Sequence, residues 1–455
     1  MKLFYHFVKA LFSAFIENLL SASLLRVLSL LLLMAFSVSA RAQVDEVGSH
    51  SLKMNINGSI LRIPYFADFQ LDSSNTAIKK IVVVVHGMNR NAGDYYRNMK
   101  EAASMSSHYT DSLMVVAPQF LEEEDLDPNF LDNSYLYWSS GWKSGSNSKN
   151  NSGHPRPERI SSYAVMDTLM MRLATFHPNL KFIILAGHSA GAQLVNRYSA
   201  ASPVTDILWN KYGIHVRFIV ANPSSYLYLD NERAIAGTVN QFAVPSTTCS
   251  TYNNWRYGLD KLYSYPNQFG ADSIRNMMKR REVVYLLGEL DTDETSSSLD
   301  QSCQAELQGS YRLERGTIYF NYLKHYYGES ITSLQYRDTV PGAGHNNRDM
   351  FTSSIGRYWL FMSDPAEGPA SVLFHTNNKL KVYPNPANDF IHIQLDDHVK
   401  PTYYSVYNAM GTILVKHQLL KERPCVLDLK DLKPGMYLLV IKTKQETIRK
   451  WFIKR

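Results

Sequence analysis

Cysteine is scarce in this sequence, because 455 residues contain only Cys249, Cys303 and Cys425. No Cys-x-x-Cys pair and no cluster of cysteine with histidine occurs, which argues against a zinc site built on thiolates. Cys249 and Cys303 both lie in the central region, and in an oxidising compartment we expect them to form a disulfide. The alternative is a pair of buried free thiols.

A basic surplus is absent from the middle of the chain. The whole sequence has a formal net charge of +6, but the residues from Lys379 to the end carry 14 Lys and Arg against 7 Asp and Glu. The first 42 residues add +3, which leaves −4 for the residues between. Nucleic acid binding requires a concentrated basic surface. We therefore expect no nucleic acid partner for the central region.

The N-terminal apolar run is too short for an ordinary spanning helix. It extends over about a dozen residues, Val27 to Val38, whereas a spanning helix needs roughly 20. Lys2, Lys9 and Arg26 precede it, and small residues flank Arg41 at positions 40–42. This pattern predicts a signal peptide over residues 1–42. The alternative is a membrane anchor that includes Leu19 to Leu33.

Short apolar runs rich in β-branched residues recur through the central region, with helical patterns between them. Runs that are apolar on both faces are typical of parallel strands covered by helices on both sides. The sequence therefore predicts an α/β fold with a mostly parallel sheet over residues 43–365. The runs are Ile81 to Val85, Leu113 to Ala117, Phe182 to Ala186, Val216 to Ala221 and Val283 to Leu287.

Composition changes near the C-terminus. Ser, Pro, Gly and Asn become frequent, which predicts a linker over residues 366–378. Short alternating strands separated by turns follow over residues 379–455. This pattern predicts a small all-β domain of the Ig-like sandwich type. No internal repeat is visible.

Two long irregular segments interrupt the α/β pattern, over residues 122–151 and 226–268. Loops of this length in a compact domain are usually functional. Trp138 and Trp142 in the first segment are candidates for a substrate pocket, where they would stack on a sugar or an aromatic acyl group, or for loop anchors. The acidic run from Glu122 to Asp125 fits a solvated acidic face better than a calcium site.

The sharpest chemical signal is Gly187-His188-Ser189-Ala190-Gly191, which lies between a predicted strand and the apolar helix from Ala192 to Ala200. This context is the one that makes a G-x-S-x-G pattern meaningful. Glycines allow the tight turn that exposes the hydroxyl of Ser189. The N–H of Ala190 then lies at a helix N-terminus, where it can stabilise an oxyanion.

A serine hydroxyl needs a base to take its proton, and the base needs a partner that orients it. Asp291 follows the run that ends at Leu287, and His345 follows a predicted strand that ends at Val340. We assign Asp291 as the acid and His345 as the base, with Asp293 and Glu294 as rivals of Asp291. His188 lies inside the turn, so we expect it to be structural.

A second oxyanion donor is expected from the segment His86-Gly87-Met88-Asn89, which follows the first run. The N–H of Met88 is our candidate, and each such donor commonly lowers the barrier by about 3 to 4 kcal/mol. The alternative is an ordinary exit from a strand.

These four motifs, HGMN, GHSAG, GELD and GAGH in this order, resemble secreted α/β-hydrolases of the esterase and lipase kind. The resemblance covers roughly residues 60–362. It implies an eight-stranded, mostly parallel sheet, a Ser-Asp-His triad and no cofactor or metal.

A second resemblance is to the C-terminal sorting domain of the type IX secretion system. It depends on Val382-Tyr383-Pro384-Asn385-Pro386-Ala387-Asn388, on Leu432-Lys433-Pro434-Gly435-Met436-Tyr437 and on the basic end Lys454-Arg455. It implies export across both membranes of a bacterium, with the secretion machinery as partner. A β-sandwich that binds carbohydrate or acts in adhesion is the alternative.

Together these observations predict a secreted or surface-attached serine hydrolase that cleaves carboxylic esters, with polysaccharide-linked and lipid-linked esters as candidate substrates. A serine peptidase of the same fold is an alternative, because acyl transfer does not distinguish esters from amides. A non-catalytic binding protein of the cell surface is the third hypothesis, and the ordered triad residue types argue against it.

Overall fold

The computed structural model describes residues 44–106, 112–362, 380–385, 387–395, 401–408, 413–418, 425–443 and 447–455. An eight-stranded sheet forms the centre of the larger part, in the order β1-β2-β4-β3-β5-β6-β9-β10. Its strands are β1 (His50–Ile56), β2 (Ser59–Ala67), β3 (Lys80–Val85), β4 (Leu113–Pro118), β5 (Phe182–His188), β6 (His215–Ala221), β9 (Glu282–Gly288) and β10 (Gln335–Val340), while β7 (Arg233–Ala234) and β8 (Phe242–Ala243) form a separate small hairpin.

The strands from β3 onward run parallel, and only β1 with β2 and β2 with β4 pair antiparallel. This order and these directions are those of the α/β-hydrolase fold, as expected from the sequence. The predicted parallel strands are confirmed within one or two residues at each end. Their side chains are buried on both faces because helices cover the sheet on both sides, and they contribute to two separate apolar clusters.

The helices of this part vary from single turns to four turns. Those of eight residues or more are α1 (Ala92–Ser104), α2 (Ser162–Phe176), α3 (Ala190–Ala201), α4 (Val204–Tyr212), α6 (Gly270–Lys279) and α8 (Arg312–Tyr327). The shorter ones are α5 (Ser264–Asn267), α7 (Cys303–Glu306), α9 (Asn347–Thr352) and α10 (Ser354–Arg357). Three 3₁₀ turns lie in the first irregular segment, at Glu123–Asp125, Asp127–Asn129 and Ser140–Ser144, and a fourth is at Glu329–Ser333.

The segment after His345 is not one continuous helix. It is divided at Ser353 into α9 and α10, and a wider π-type turn follows at Tyr358–Met362. Ser353 causes the break because its side chain accepts a hydrogen bond from the N–H of Gly356 and so begins a new helix. Asn346 begins α9 in the same way.

The C-terminal part consists of two antiparallel sheets. One has the order β11-β12-β15 and the other has the order β14-β13-β16-β17. Apolar side chains from both sheets form one buried cluster, as in a β-sandwich. This agrees with the predicted all-β domain. The strands are β11 (Leu380–Tyr383), β12 (Phe390–Leu395), β13 (Pro401–Asn408), β14 (Ile413–Gln418), β15 (Cys425–Asp428), β16 (Gly435–Thr443) and β17 (Thr447–Lys454).

The predicted signal peptide and linker lie outside the described residues. Within the described residues, no helix is both long and apolar enough to cross a membrane.

Candidate active site

Ser189 lies in the turn between β5 and α3, with a φ of 57° and a ψ of −119°. A positive φ is strained for a residue with a side chain, and such strain is common at functional sites. The flanking glycines make the turn feasible. A Cβ on Gly187 would stand 2.4 Å from the carbonyl carbon of Gly191, and one on Gly191 would stand 2.2 Å from the carbonyl oxygen of Val85. The G-x-S-x-G pattern is thus required by close packing.

Three side chains predicted from separate motifs meet at the carboxyl ends of the strands. His345 Nε2 lies 3.0 Å from Ser189 Oγ, and His345 Nδ1 lies 2.8 Å from Asp291 Oδ2. Because a carboxylate only accepts, Nδ1 carries the proton and Nε2 is free to accept from the serine hydroxyl. The arrangement is that of a nucleophile, a base and an orienting acid in line.

Asp291 is almost completely buried, and Arg312 is its charged neighbour. Arg312 Nη1 lies 3.4 Å from Asp291 Oδ1, and Nη2 donates to Ser298 Oγ at 2.9 Å. Burial lowers the pKa of Arg312, although the attraction of Asp291 opposes this effect. The rivals Asp293 and Glu294 are both exposed, and Asp293 accepts from its own neighbour Thr295.

Asn222 joins the loop that carries His345 to the strand that precedes Asp291. Its Oδ1 accepts from the N–H of Gly288 at 2.8 Å, and its Nδ2 donates to the carbonyl oxygen of Gly344 at 3.2 Å. Asn222 has a φ of 48°, a conformation that asparagine tolerates better than most residues. Sequence reasoning missed Asn222 and Arg312, because neither belongs to a local motif.

The loop after β3 lies beside Ser189. A Cβ on Gly87 would be 3.8 Å from the Cβ of Ser189. His86 fixes the start of this loop, since its Nε2 accepts from the N–H of Phe120 at 2.9 Å and its Nδ1 lies 2.8 Å from the carbonyl oxygen of Gly87. Burial lowers the pKa of His86 to about 4, so the ring is neutral and Nδ1 is the donor. Met88 and Ala190, the candidate oxyanion donors, therefore belong to segments adjacent to Ser189.

Arg90 joins this loop to the first irregular segment. Its Nε and Nη2 donate to the two oxygens of Asp125 at 2.6 and 3.0 Å, and its Nη1 donates to the carbonyl oxygen of Met88 at 3.3 Å. Asp125 is fully buried and also accepts from the N–H of Glu122. The predicted solvated acidic face over Glu122 to Asp125 is therefore wrong, because the run folds around a buried guanidinium.

His188 lies directly behind the base. Its ring centroid is 4.6 Å from that of His345, and its Nδ1 is 3.1 Å from the hydroxyl of Tyr95. Burial, and then the nearby charges of His345 and Arg312, hold the pKa of His188 well below its usual value. A neutral ring here avoids repulsion when His345 takes up a proton. This agrees with the structural role expected for His188.

Trp138 and Trp142 are each 1% exposed. The ring of Trp142 stacks on Phe120 and lies 4.7 Å from the ring of His86, while the indole N–H of Trp138 donates to the carbonyl oxygen of Ser146. Buried ring faces fit loop anchors better than surfaces that stack on a substrate. Trp142 thus packs the first irregular segment against His86, and Trp138 packs edge-on against Phe120.

Cys249 and Cys303 form a disulfide across a sequence separation of 54 residues. The bridge joins the second irregular segment to the segment after Asp291. Cys425 lies outside this bridge and is half-buried. No group of three or more His, Cys, Asp or Glu residues in the described part of the chain is arranged to hold a metal ion.

Residues 381–455 match the family model of the secretion system C-terminal sorting domain. This domain marks proteins exported by type IX secretion, so the protein reaches the cell surface or the medium. The secretion machinery is the partner that the domain implies. No curated protein matches the chain at a significant level.

Several solved structures are similar to the chain at low sequence identity. A poly(aspartic acid) hydrolase from Sphingomonas sp. KT-1 is 20% identical, with 69% of this chain and 99% of that chain covered and a TM-score of 0.45. A poly(3-hydroxybutyrate) depolymerase from Bordetella parapertussis is 19% identical, with 72% and 94% covered and a TM-score of 0.46. A siderophore hydrolase from Aspergillus nidulans is 15% identical, with 72% and 99% covered and a TM-score of 0.35.

Proposed function

We propose that the protein is a secreted serine hydrolase that cleaves carboxylic esters through an acyl-enzyme intermediate. The observation that carries the proposal is the hydrogen-bonded line from Ser189 through His345 to Asp291, at the turn between a parallel strand and a helix. Residue type, order and geometry all agree with a nucleophile activated by a general base. The chemistry needs no cofactor and no metal.

In the first half-reaction, Ser189 Oγ attacks the carbonyl carbon of the ester while its proton passes to His345 Nε2. Asp291 stabilises the imidazolium that forms, and the N–H groups of Met88 and Ala190 donate to the oxyanion. The bond from the carbonyl carbon to the alcohol oxygen then breaks, and His345 returns the proton to that oxygen. The alcohol leaves, and the acyl group remains on Ser189.

In the second half-reaction, water replaces the alcohol. His345 takes a proton from the water, whose oxygen attacks the acyl carbon. The bond to Ser189 Oγ breaks, His345 returns the proton to Oγ, and the carboxylic acid leaves. His345 acts between Asp291 and Ser189 in both half-reactions, so the triad keeps one arrangement through the complete cycle.

Replacement of the nucleophile tests this proposal. We expect wild-type protein to hydrolyse p-nitrophenyl acetate and to be labelled by a fluorophosphonate probe. Ser189→Ala should lose both, with turnover falling by roughly six orders of magnitude, because the triad acts as a unit. Ser225→Ala, which removes another buried hydroxyl near the site, is the control and should keep the label. Labelling of Ser189→Ala would contradict the assignment.

A further inference from the structure

Three cationic side chains surround the first turns of α3, the helix that begins directly after Ser189. Lys143 lies in the 3₁₀ turn Ser140–Ser144, which packs on this helix, and Arg197 is on the helix itself. Arg256 lies in the second irregular segment, which is tied to the same turn because the indole N–H of Trp255 donates to the carbonyl oxygen of Ser144 at 2.8 Å. We call Lys143, Arg197 and Arg256 the cation cluster.

Arg197 is the structural member of the cation cluster. It is fully buried, and its guanidinium donates to the carbonyl oxygen of Arg256 at 2.9 Å, to Gln193 Oε1 at 3.2 Å and to Ser225 Oγ at 3.0 Å. Gln193 is one turn after Ser189, and Ser225 is in the loop after β6. Arg197 therefore connects the second irregular segment to the helix of the nucleophile.

Lys143 and Arg256 have no carboxylate partner in the described part of the chain. The guanidinium of Arg256 donates to the hydroxyl of Tyr257 at 3.1 Å, and Lys143 makes neither a hydrogen bond nor an ion pair among these residues. Both are half-buried. A lysine that serves only solubility extends into water, as the exposed Lys149 does six residues later.

The acidic groups near the cation cluster are already engaged. Asp300 accepts from the hydroxyls of Tyr257 at 2.8 Å, of Ser302 at 2.7 Å and of Ser225 at 3.3 Å. Glu122 lies 4.0 Å from Arg90, which binds Asp125. Three cations thus face two nearby carboxylates, Asp300 and Glu122, and the surplus is positive.

The surroundings of Lys143 disfavour the charged form of its amine, which is an electrostatic cost. Burial, and then the charges of Arg256 and Arg197, lower its pKa to about 8, against the weaker opposing effects of Asp300 and Glu122. An anion bound beside Lys143 would remove this cost by favouring the charged amine. The cation cluster therefore carries a surplus of positive charge that a bound anion would offset.

Two contacts link the cation cluster to the elements on either side of Ser189. Trp142, the residue before Lys143, lies with its ring 4.7 Å from the ring of His86, which begins the oxyanion loop. Gln193, which Arg197 binds, is on the first turn of the helix that follows Ser189. The segments that carry Lys143 and Arg256 are therefore tied to the loop and to the helix that flank Ser189.

We propose that Lys143 and Arg256 form a subsite for a carboxylate, and that the ester this protein cleaves carries a second, negatively charged group. The proposal rests on the ester hydrolysis proposed above. A planar guanidinium matches the two oxygens of a carboxylate, and an ammonium beside it adds a point charge. The subsite selects dicarboxylic hemiesters, or esters of hydroxy acids, over neutral esters of equal length.

Matched pairs of esters test the subsite. For a charge on the acyl side, the pair is the 4-methylumbelliferyl hemiester of adipic acid and the methyl ester of that compound. For a charge on the alcohol side, the pair is 4-acetoxybenzoate and its methyl ester. We expect kcat/KM to favour the charged member of at least one pair. Lys143→Met and Arg256→Met should each reduce this preference by roughly tenfold to a hundredfold, mainly through KM.

Two further variants separate a charge effect from a folding effect. Lys143→Arg should retain most of the preference, and Lys149→Met, on the same segment but exposed, should leave it unchanged. Cleavage of the neutral esters by Lys149→Met should also stay near the wild-type rate. Equal kcat/KM for both members of both pairs in wild-type protein would overturn the subsite while leaving ester hydrolysis intact. No cleavage of any of the four esters, together with no fluorophosphonate label, would overturn the proposed function itself.

Discussion

Arg90 donates to both oxygens of Asp125 and, with its remaining nitrogen, to the carbonyl oxygen of Met88. One buried side chain thus connects a long irregular segment to the peptide unit next to a proposed oxyanion donor. Arg90 touches no reacting atom in the proposed mechanism, so it is a positioning residue. Its positive φ of 59° places the guanidinium back over the loop.

Arg90→Lys should lower kcat by roughly tenfold or more, with KM changed little. Lysine keeps the charge but has no planar fork, so it cannot bind Asp125 twice and Met88 at the same time. The loss should appear in kcat because a misplaced donor weakens binding of the transition state more than binding of the substrate. Arg97→Lys, at an exposed position on α1, is the control. A raised KM with unchanged kcat would contradict the positioning role.

Asp291→Asn should reduce turnover by about four orders of magnitude, because an amide cannot hold the proton on Nδ1 of His345. Asp293→Asn should change turnover by less than about threefold, since Asp293 is exposed and binds Thr295. Ester hydrolysis rates of the two variants decide between the two carboxylates. If Asp293→Asn were the more damaging change, the acid would be misassigned.

Opening the disulfide should destabilise the protein. Cys249→Ser with Cys303→Ser should lower the free energy of unfolding by about 4 kcal/mol, the value for a loop of this length in the chain-entropy model. Thermal melting measures the change, and Cys425→Ser serves as the control because Cys425 takes no part in the bridge. Because the bridge joins both segments around Arg256 and Asp300, KM for a charged ester should also rise. An unchanged melting temperature would refute a stabilising role.

Truncation after residue 378 should stop export without abolishing catalysis. The match to the sorting domain begins at residue 381, and the proposed chemistry is complete by His345. We propose residues 43–365 as the catalytic domain and 366–378 as the linker. Purified truncated protein should hydrolyse p-nitrophenyl acetate at the wild-type rate. In a host with the secretion machinery it should accumulate in the periplasm, and its appearance in the medium would contradict the sorting role.

The parallel strands and the tight turn at Ser189 could be predicted because the sequence patterns that indicate them are local. Apolar runs such as Ile81 to Val85 follow from burial on both faces, and a glycine-flanked Ser189 follows from a turn without room for side chains. His345 and Asp291 could be chosen because each follows a strand of a parallel sheet, and such strands end at the same edge. Their mutual distances depend on the complete fold and could not be derived from spacing.

Other features depend on pairs of residues far apart in the chain, and these were missed or misread. The run from Glu122 to Asp125 looks like a solvated surface because its charges are adjacent, yet Arg90, more than thirty positions earlier, neutralises Asp125 inside the core. Arg312 and Asn222 likewise have no periodic pattern around them. Ser353 divides the segment after His345 into two short helices, because its side chain caps the second one.

The close approach of Gly191 to Val85 has a consequence for the timing of catalysis. No methyl group fits between the helix that begins after Ser189 and the strand that leads into the oxyanion loop, so the two segments form one rigid unit. Both proposed N–H donors are therefore in position before an ester binds, and no closing motion is needed to bring them together. Turnover should follow the chemistry and the fit of the ester, and solvent viscosity should affect it little.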